Sequence, residues 1–115
     1  MPLLKLETSV ALDDRRKQAL VAALSKLVAA NIGKPEQYVM VAVSPAALLL
    51  AGQPGPAAFV EVRSIGGLND RINRQLSQKI CALLEESLGV PPDRVYLNFS
   101  DIPAGNWGWN GSTFG

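Results

Sequence analysis

The chain has 115 residues, of which 48% are apolar, and its 11 basic and 10 acidic side chains leave a net charge of +1. This length suits one domain with a substantial core, and the near-neutral charge provides no strong field that would favour nucleic acid or an acidic membrane surface. A single cysteine excludes an internal disulfide, and the absence of histidine removes the commonest metal ligand and the commonest general base. We therefore expect no metal site and neither nucleic acid nor a membrane as a partner.

The N-terminal sequence lacks a cationic segment followed by an apolar stretch, which is the pattern of a secretory signal peptide. No apolar run approaches the roughly 20 residues needed to cross a bilayer. Together with the lack of disulfides, these features favour a cytoplasmic location, although secretion that needs no signal peptide is compatible with the same sequence.

The first half of the chain is predicted to form a strand, a helix and a second strand. Residues 3–7 are a short apolar-rich run, and the aspartates at 13–14 offer an N-cap and a first-turn carboxylate for a helix. The apolar stripe of that helix is Leu20, Leu24, Leu27 and Val28. Gly33 ends the helix, Pro35 prevents its resumption, and the β-branched run 38–43 predicts the second strand.

The second half of the chain repeats this order of elements. A strand is predicted at 59–63, a helix beginning at 69–70 and ending at Gly89, and a last strand at 95–99. The apolar stripe of this helix is Leu76, Ile80, Leu83 and Leu84. A short Gly/Pro loop at 52–56 joins the halves and is too short to be a flexible domain linker.

The two halves also match in sequence, because a shift of 56 positions places Gly33 on Gly89 and Leu20 on Leu76. A repeat of this length predicts two β-α-β units that share one core. Right-handed crossovers give parallel pairing within each unit. The predicted class is α+β, with a four-stranded mixed sheet and both helices on one face. The expected organisation is a single domain over 1–115, with pseudo-repeats at about 2–44 and 58–100 and a C-terminal hairpin tail at 101–115.

Alternation of side chains along the strands gives this sheet two different faces. The residues expected to face the helices are Val39, Val41, Val43, Val95, Leu97 and Phe99. Those expected on the opposite face are Lys5, Tyr38, Met40, Ala42, Glu61, Tyr96 and Asn98. Two interpretations of the opposite face stay open: a half-exposed sheet with scattered apolar residues, or a face covered by other copies of the chain.

Pro2 differs from its counterpart in the second half, Ala58. A proline that opens a strand is structurally acceptable, because the first amide need not join the hydrogen-bond ladder. The other interpretation depends on removal of Met1, which a small second residue permits. Pro2 would then carry a free secondary amine; α-amines titrate near pH 8, and burial or a nearby cation lowers the pKa further. The chain would thus possess a neutral base without histidine.

Several short motifs occur together in an order and spacing that identify a family. They are Pro2 after the initiator Met1, Gly33-Lys34-Pro35 with Gln37-Tyr38-Val39, Ser64-Ile65-Gly66, Pro92-Asp93-Arg94-Val95-Tyr96 with Asn98, and the tail Asn106-Trp107-Gly108-Trp109-Asn110-Gly111-Ser112-Thr113-Phe114. Together they resemble the macrophage migration inhibitory factor and D-dopachrome tautomerase family of the tautomerase superfamily. The resemblance runs the length of the chain. It implies a homotrimer whose sheets surround a central channel, and so favours a covered sheet face.

The resemblance also implies keto–enol tautomerisation of α-keto acids of the phenylpyruvate type, with D-dopachrome-like substrates in the same family. The implied general base is Pro2, no cofactor is required, and retention of Met1 would disable the base. Lys34 and the backbone amide of Ile65 match positions that hold the substrate carboxylate or stabilise the enolate oxygen. Asn98 and Tyr96 match residues that a neighbouring subunit contributes, so the sites would lie at subunit interfaces. The residues that match the apolar wall and edge of the pocket are Tyr38, Trp107, Trp109 and Phe114.

Simpler roles compete for three of these residues. Lys34, just beyond a helix C-terminus, complements the helix dipole. Asn98 is also suited to be a polar cross-strand partner, and Trp109 to be an apolar plug on a glycine-rich hairpin. At the level of function, a cytokine-like signalling protein and a noncatalytic ligand-binding trimer are the alternatives to an enzyme.

The chain departs from the family pattern at three places. Residues 57–60 read Ala-Ala-Phe-Val where vertebrate members have Cys-x-x-Cys, so thiol–disulfide exchange is not supported. Trp107 stands where those members carry a smaller aliphatic residue, and it is expected to narrow the pocket. Gly67 replaces a basic residue, which removes a charge beside the loop that contains Ile65.

Overall fold

The computed structural model describes residues 1–115 as a four-stranded sheet with two long helices and a short C-terminal hairpin. The elements are β1 (Pro2–Thr8), α1 (Asp14–Ile32), β2 (Met40–Pro45), β3 (Ala58–Ser64), α2 (Asp70–Leu88), β4 (Val95–Asp101), β5 (Gly108–Trp109) and β6 (Ser112–Thr113). The strand order in the sheet is β2-β1-β3-β4. β1 pairs with β2 and β3 with β4 in parallel, whereas β1 and β3 are antiparallel. The predicted α+β class with a mixed sheet is confirmed.

Both helices begin and end for the same local reasons. The side chains of Asp13 and Asn69 each accept a hydrogen bond of 2.8 Å from the backbone N–H three residues further on, which caps the first turn. At the other end, Gly33 has φ 78° and Gly89 has φ 68°. Glycine adopts this left-handed conformation without steric cost, so both helices stop where the sequence predicted.

The core lies between the helices and the inner strands. The buried helical residues recur every fourth position and are Leu20, Leu24, Val28 and Ile32 in α1 and Leu76, Ile80, Leu84 and Leu88 in α2. They pack against the alternate residues of the two central strands, including Leu4, Leu6, Val60 and Val62. The six residues predicted to face the helices from the outer strands all belong to or pack against this core, which confirms that prediction. Neither helix combines the length and hydropathy that a bilayer-crossing segment requires.

The prediction that the second strand begins at Tyr38 is wrong. Glu36–Tyr38 form a single 3-10 turn, and β2 begins at Met40. The Tyr38 N–H bonds the Pro35 carbonyl at 3.1 Å and the Val39 N–H bonds that of Glu36 at 2.9 Å. These donors are therefore not available to the sheet ladder. Tyr38 consequently lies before the strand rather than on the open sheet face.

The open face of the sheet carries both charged and apolar side chains. Lys5 lies opposite Glu61 in the β1–β3 register, and Arg63 lies opposite Leu3. Glu61 is 3.9 Å from the Lys5 ammonium and 3.6 Å from the Arg63 guanidinium. Met40 and Tyr96 on the edge strands are 66% and 65% exposed. The open face therefore exposes two large apolar side chains beside its charged ones.

Candidate active site

β1 brings Pro2 to the floor of an apolar cavity of about 400 Å³. Pro2 pairs with Ser64 of β3, and its side chain is fully buried. The cavity is lined by Met1, Pro2, Leu3, Gln37, Tyr38, Val39, Met40, Trp107, Gly108, Trp109 and Phe114. Five residues named from the sequence, at positions 2, 38, 107, 109 and 114, therefore meet around one space.

The aromatic wall of this cavity is held in place by the C-terminal hairpin. Asn110 and Gly111 have φ 53° and 79°, as a two-residue type I′ turn requires, and this turn fixes the β5–β6 register. The Trp109 and Phe114 rings are stacked with centroids 5.8 Å apart. The Phe114 N–H also bonds the Trp107 carbonyl at 3.1 Å. A rigid aromatic wall thus stands across the cavity from the start of β1.

The electrostatics at the N-terminus favour a neutral amine. Burial lowers the pKa of the Met1 amine below its ordinary value of 8.0, and the positive charge of Lys34 lowers this pKa further. Lys34 directly follows Gly33, the left-handed residue that ends α1. The end of α1 therefore positions a cation whose field acts on the terminal nitrogen.

The loop that contains Ile65 is anchored from both sides. The Ser64 hydroxyl donates to the Gly66 carbonyl at 2.7 Å, and the Gly66 N–H donates to Asp101 Oδ1 at 2.9 Å. The Ile65 N–H donates to no acceptor within the chain. The loop therefore presents a backbone donor whose partner is not supplied by the chain itself.

Gly67 packs this loop against the end of α1. It has φ 80°, and a Cβ placed on it would lie 2.7 Å from Ile32 Cγ2 and 3.5 Å from Lys34 Cε. The space that a side chain would need is thus already filled. Lys34 and the Ile65 loop are neighbours because position 67 is glycine.

Four residues named from the sequence do not line this cavity within one chain, namely Lys34, Ile65, Tyr96 and Asn98. Lys34 and Ile65 lie at the end of α1 and on the loop packed against it. Asn98 and Tyr96 lie on β4, which is separated from β1 by β3. Strand spacing puts β4 about 10 Å from β1. Tyr96 instead lines a separate cavity of about 100 Å³ with Phe59, Arg94 and residues 48–50. One chain alone therefore does not assemble the whole predicted set.

Sequence reasoning assigned no role to three polar residues near this region. Gln37 lines the cavity, and Asp101 holds the Ile65 loop. Arg63 lines a second cavity of about 260 Å³ that adjoins the first. Gln37 stood within a recognised motif, but only the three-dimensional fold brings Asp101 and Arg63 to this end of the sheet. No group of three or more His, Cys, Asp or Glu side chains is arranged to hold a metal ion.

The family model described as macrophage migration inhibitory factor matches residues 1–115. Among named relatives, the macrophage migration inhibitory factor of Mus musculus is 41% identical over 98 residues, covering 84% of this chain and 85% of the relative. The macrophage migration inhibitory factor homolog of Trichuris trichiura is 36% identical over 115 residues, covering 99% of this chain and all of the relative.

Solved structures show the same fold. The macrophage migration inhibitory factor homologue from Prochlorococcus marinus superposes with a TM-score of 0.92 at 39% identity, covering 98% of this chain and 99% of that one. The protein from Toxoplasma gondii gives a TM-score of 0.93 at 33% identity, covering 97% of this chain and 99% of that one.

Proposed function

This chain belongs to the macrophage migration inhibitory factor family, and from that premise we propose that it catalyses keto–enol tautomerisation of α-keto acids. The substrates are of the phenylpyruvate type, and D-dopachrome-like compounds are a second candidate class. The observation that carries the proposal is the environment of the chain start. Pro2 is buried at an apolar cavity, and burial and the charge of Lys34 lower the pKa of the adjoining Met1 amine.

Removal of Met1 makes the Pro2 nitrogen a free secondary amine, and this amine is the general base. In the ketonic substrate it takes a proton from the carbon beside the carbonyl, and the C–H electron pair forms the enolate. The protonated amine then gives its proton to the enolate oxygen. The proton stays within the site, so the reaction consumes no co-reactant.

Lys34 and the Ile65 N–H hold the negative charge of the substrate. The lysine supplies a cation, and the Ile65 amide is a donor that bonds no group of the chain. Fixed donors aimed at a carboxylate or a developing enolate oxygen stabilise that charge without reorganisation. The aryl group of the substrate packs on Tyr38, Trp109 and Phe114, whose rings line the cavity.

The working assembly is a homotrimer of the single domain 1–115, with its pseudo-repeats at about 2–44 and 58–100 and its tail at 101–115. In this trimer, neighbouring copies cover the open sheet face. The exposed side chains of Met40 and Tyr96 on that face support this part of the proposal, because a neighbouring copy would bury them. Asn98 and Tyr96 of one copy complete the pocket of the next. This arrangement explains why β4 carries two family residues that the cavity of the same chain does not use.

The test compares proteins whose first residue has been verified by mass spectrometry. Protein that begins at Pro2 is expected to convert the enol form of phenylpyruvate to the keto form, with loss of enol absorbance. Pro2→Gly is expected to lower kcat/KM about a hundredfold or more, because a positioned base contributes that much. Pro54→Gly, in an exposed loop, is the matched control and should keep full activity. Equal turnover by Pro2→Gly and the parent would remove Pro2 from the role of base.

Two other functions give different outcomes in the same experiment. The names of the relatives point to a cytokine-like signalling protein, which needs a receptor surface but no proton transfer. A noncatalytic ligand-binding trimer would bind aromatic keto acids without exchanging their protons. In D₂O, deuterium incorporation at the substrate carbon beside the keto group distinguishes the enzyme from both.

A further inference from the structure

We propose that the cavity beside Trp107 is an anion subsite that takes a second carboxylate, carried at the far end of the keto acid from its reacting carbons. The proposal rests on the proposed function, because it extends the same pocket. It narrows the substrate class to keto acids with an acidic group at each end, such as an arylpyruvate with a carboxylate on its ring.

The second cavity adjoins the first. It measures about 260 Å³ and is lined by Leu3, Arg63, Ile102, Asn106, Trp107 and Gly108. Three of these residues, Leu3, Trp107 and Gly108, also line the cavity around Pro2. Trp107 therefore borders both spaces, and a group bound beside it in one cavity lies next to the other cavity.

Arg63 gives the second cavity its chemistry. No other charged side chain lines either cavity. Its only ionic partner is Glu61 at 3.6 Å, which is too long for a hydrogen bond, and Glu61 also faces Lys5 at 3.9 Å. The Arg63 side chain is 45% exposed and makes no hydrogen bond with its guanidinium. Its five donors therefore remain available, in a planar arrangement that matches a carboxylate.

Asn106 adds a neutral donor on the same cavity. It sits in the 3-10 turn Ala104–Asn106, whose backbone is closed by hydrogen bonds from Asn106 to Pro103 and from Trp107 to Ala104. The turn fixes the position of Asn106 beside Trp107. The lining of this cavity thus combines a cation and an amide with apolar side chains, which suits an anion attached to an aromatic ring.

The experiment compares phenylpyruvate with 4-carboxyphenylpyruvate as substrates of protein that begins at Pro2. Arg63→Met is expected to lower kcat/KM for the dicarboxylate about tenfold, mainly through KM, because one charge-assisted hydrogen bond is lost. Turnover of phenylpyruvate should be unchanged. Arg63→Lys should keep part of the preference for the dicarboxylate, because lysine retains the positive charge. The matched control is Lys5→Met. It removes the other cation paired with Glu61, but Lys5 lies outside both cavities, so kcat/KM should stay unchanged for both substrates.

Three results would overturn the subsite. Arg63→Met could lower kcat/KM equally for both substrates, leave kcat/KM unchanged for both, or alter the oligomeric state measured by sedimentation. The last result would make Arg63 an interface residue. Failure of the proposed function has a different signature, since the parent protein would then turn over neither compound. In that case, quenching of tryptophan fluorescence measures binding of 4-carboxyphenylpyruvate directly. Weaker binding by Arg63→Met than by Lys5→Met supports the subsite, and equal binding excludes it.

Discussion

Gly67→Ala tests how closely the Ile65 loop packs against the end of α1. The new Cβ would lie 2.7 Å from Ile32 Cγ2 and 3.4 Å from the Ile32 carbonyl oxygen, so the loop or the helix end must move. Alanine at φ 80° also carries the cost of the left-handed conformation. That cost is about 1–2 kcal/mol, and overpacking adds about 1–3 kcal/mol, so we expect a loss of roughly 2–5 kcal/mol in the free energy of unfolding.

Gly66→Ala is the matched control for this prediction. Gly66 has φ 70°, but a Cβ on it would meet nothing within 4 Å, so only the conformational cost of about 1–2 kcal/mol remains. Urea denaturation measured on both variants gives the difference, which is the cost of crowding at position 67. In an Ile32→Ala background, which removes the clashing methyl group, Gly67→Ala should cost less. Equal destabilisation by Gly66→Ala and Gly67→Ala would refute the packing argument.

The remaining predictions concern the amine, the assembly and the core. Lys34→Met should raise the pKa of the Met1 amine, because it removes a nearby positive charge; burial, the larger cause, still keeps this pKa below 8.0. The neutral fraction of the amine at pH 7 should therefore fall, which is measured as the rate of amine modification against pH. Mixing equal amounts of Pro2→Gly and Asn98→Ala subunits should restore about a quarter of the parent activity. In a random mixture, about a quarter of the sites combine an intact Pro2 from one chain with an intact Asn98 from its neighbour, and no recovery would contradict a shared site. Leu84→Ala should lower the unfolding free energy by about 2–5 kcal/mol in urea denaturation, because Leu84 is fully buried; a loss well below 1 kcal/mol would contradict its place in the core.

Local signals in the sequence were sufficient to predict the helices, the strands and the fold class. Capping side chains at Asp13 and Asn69 and glycines at 33 and 89 set the helix ends within the helices themselves. The duplication then predicted two β-α-β units in one mixed sheet. The strand order β2-β1-β3-β4, which depends on how the two units pair, came from the structure. Only the start of β2 was misplaced, because the hydrogen bonds of the turn at Glu36–Tyr38 competed with the sheet for the same backbone donors.

The candidate site was less accessible to sequence reasoning, because its parts meet only in three dimensions. The aromatic residues of the tail were found through their motif, and the structure brings them to Pro2. Arg63 carries no motif, and its position beside Trp107 depends on the β1–β3 register and on the path of the tail. The close fit of Gly67 against Ile32 likewise depends on how the two halves pack, which periodicity does not specify.

The most direct test of the central claim is a titration of the Pro2 nitrogen by ¹⁵N NMR in protein that lacks Met1. Terminal amines ordinarily titrate at about 7.7–8.0. The proposal predicts that the Pro2 nitrogen has a pKa below this range and is largely neutral at physiological pH. A nitrogen that stays fully protonated through neutral pH would contradict a base at Pro2.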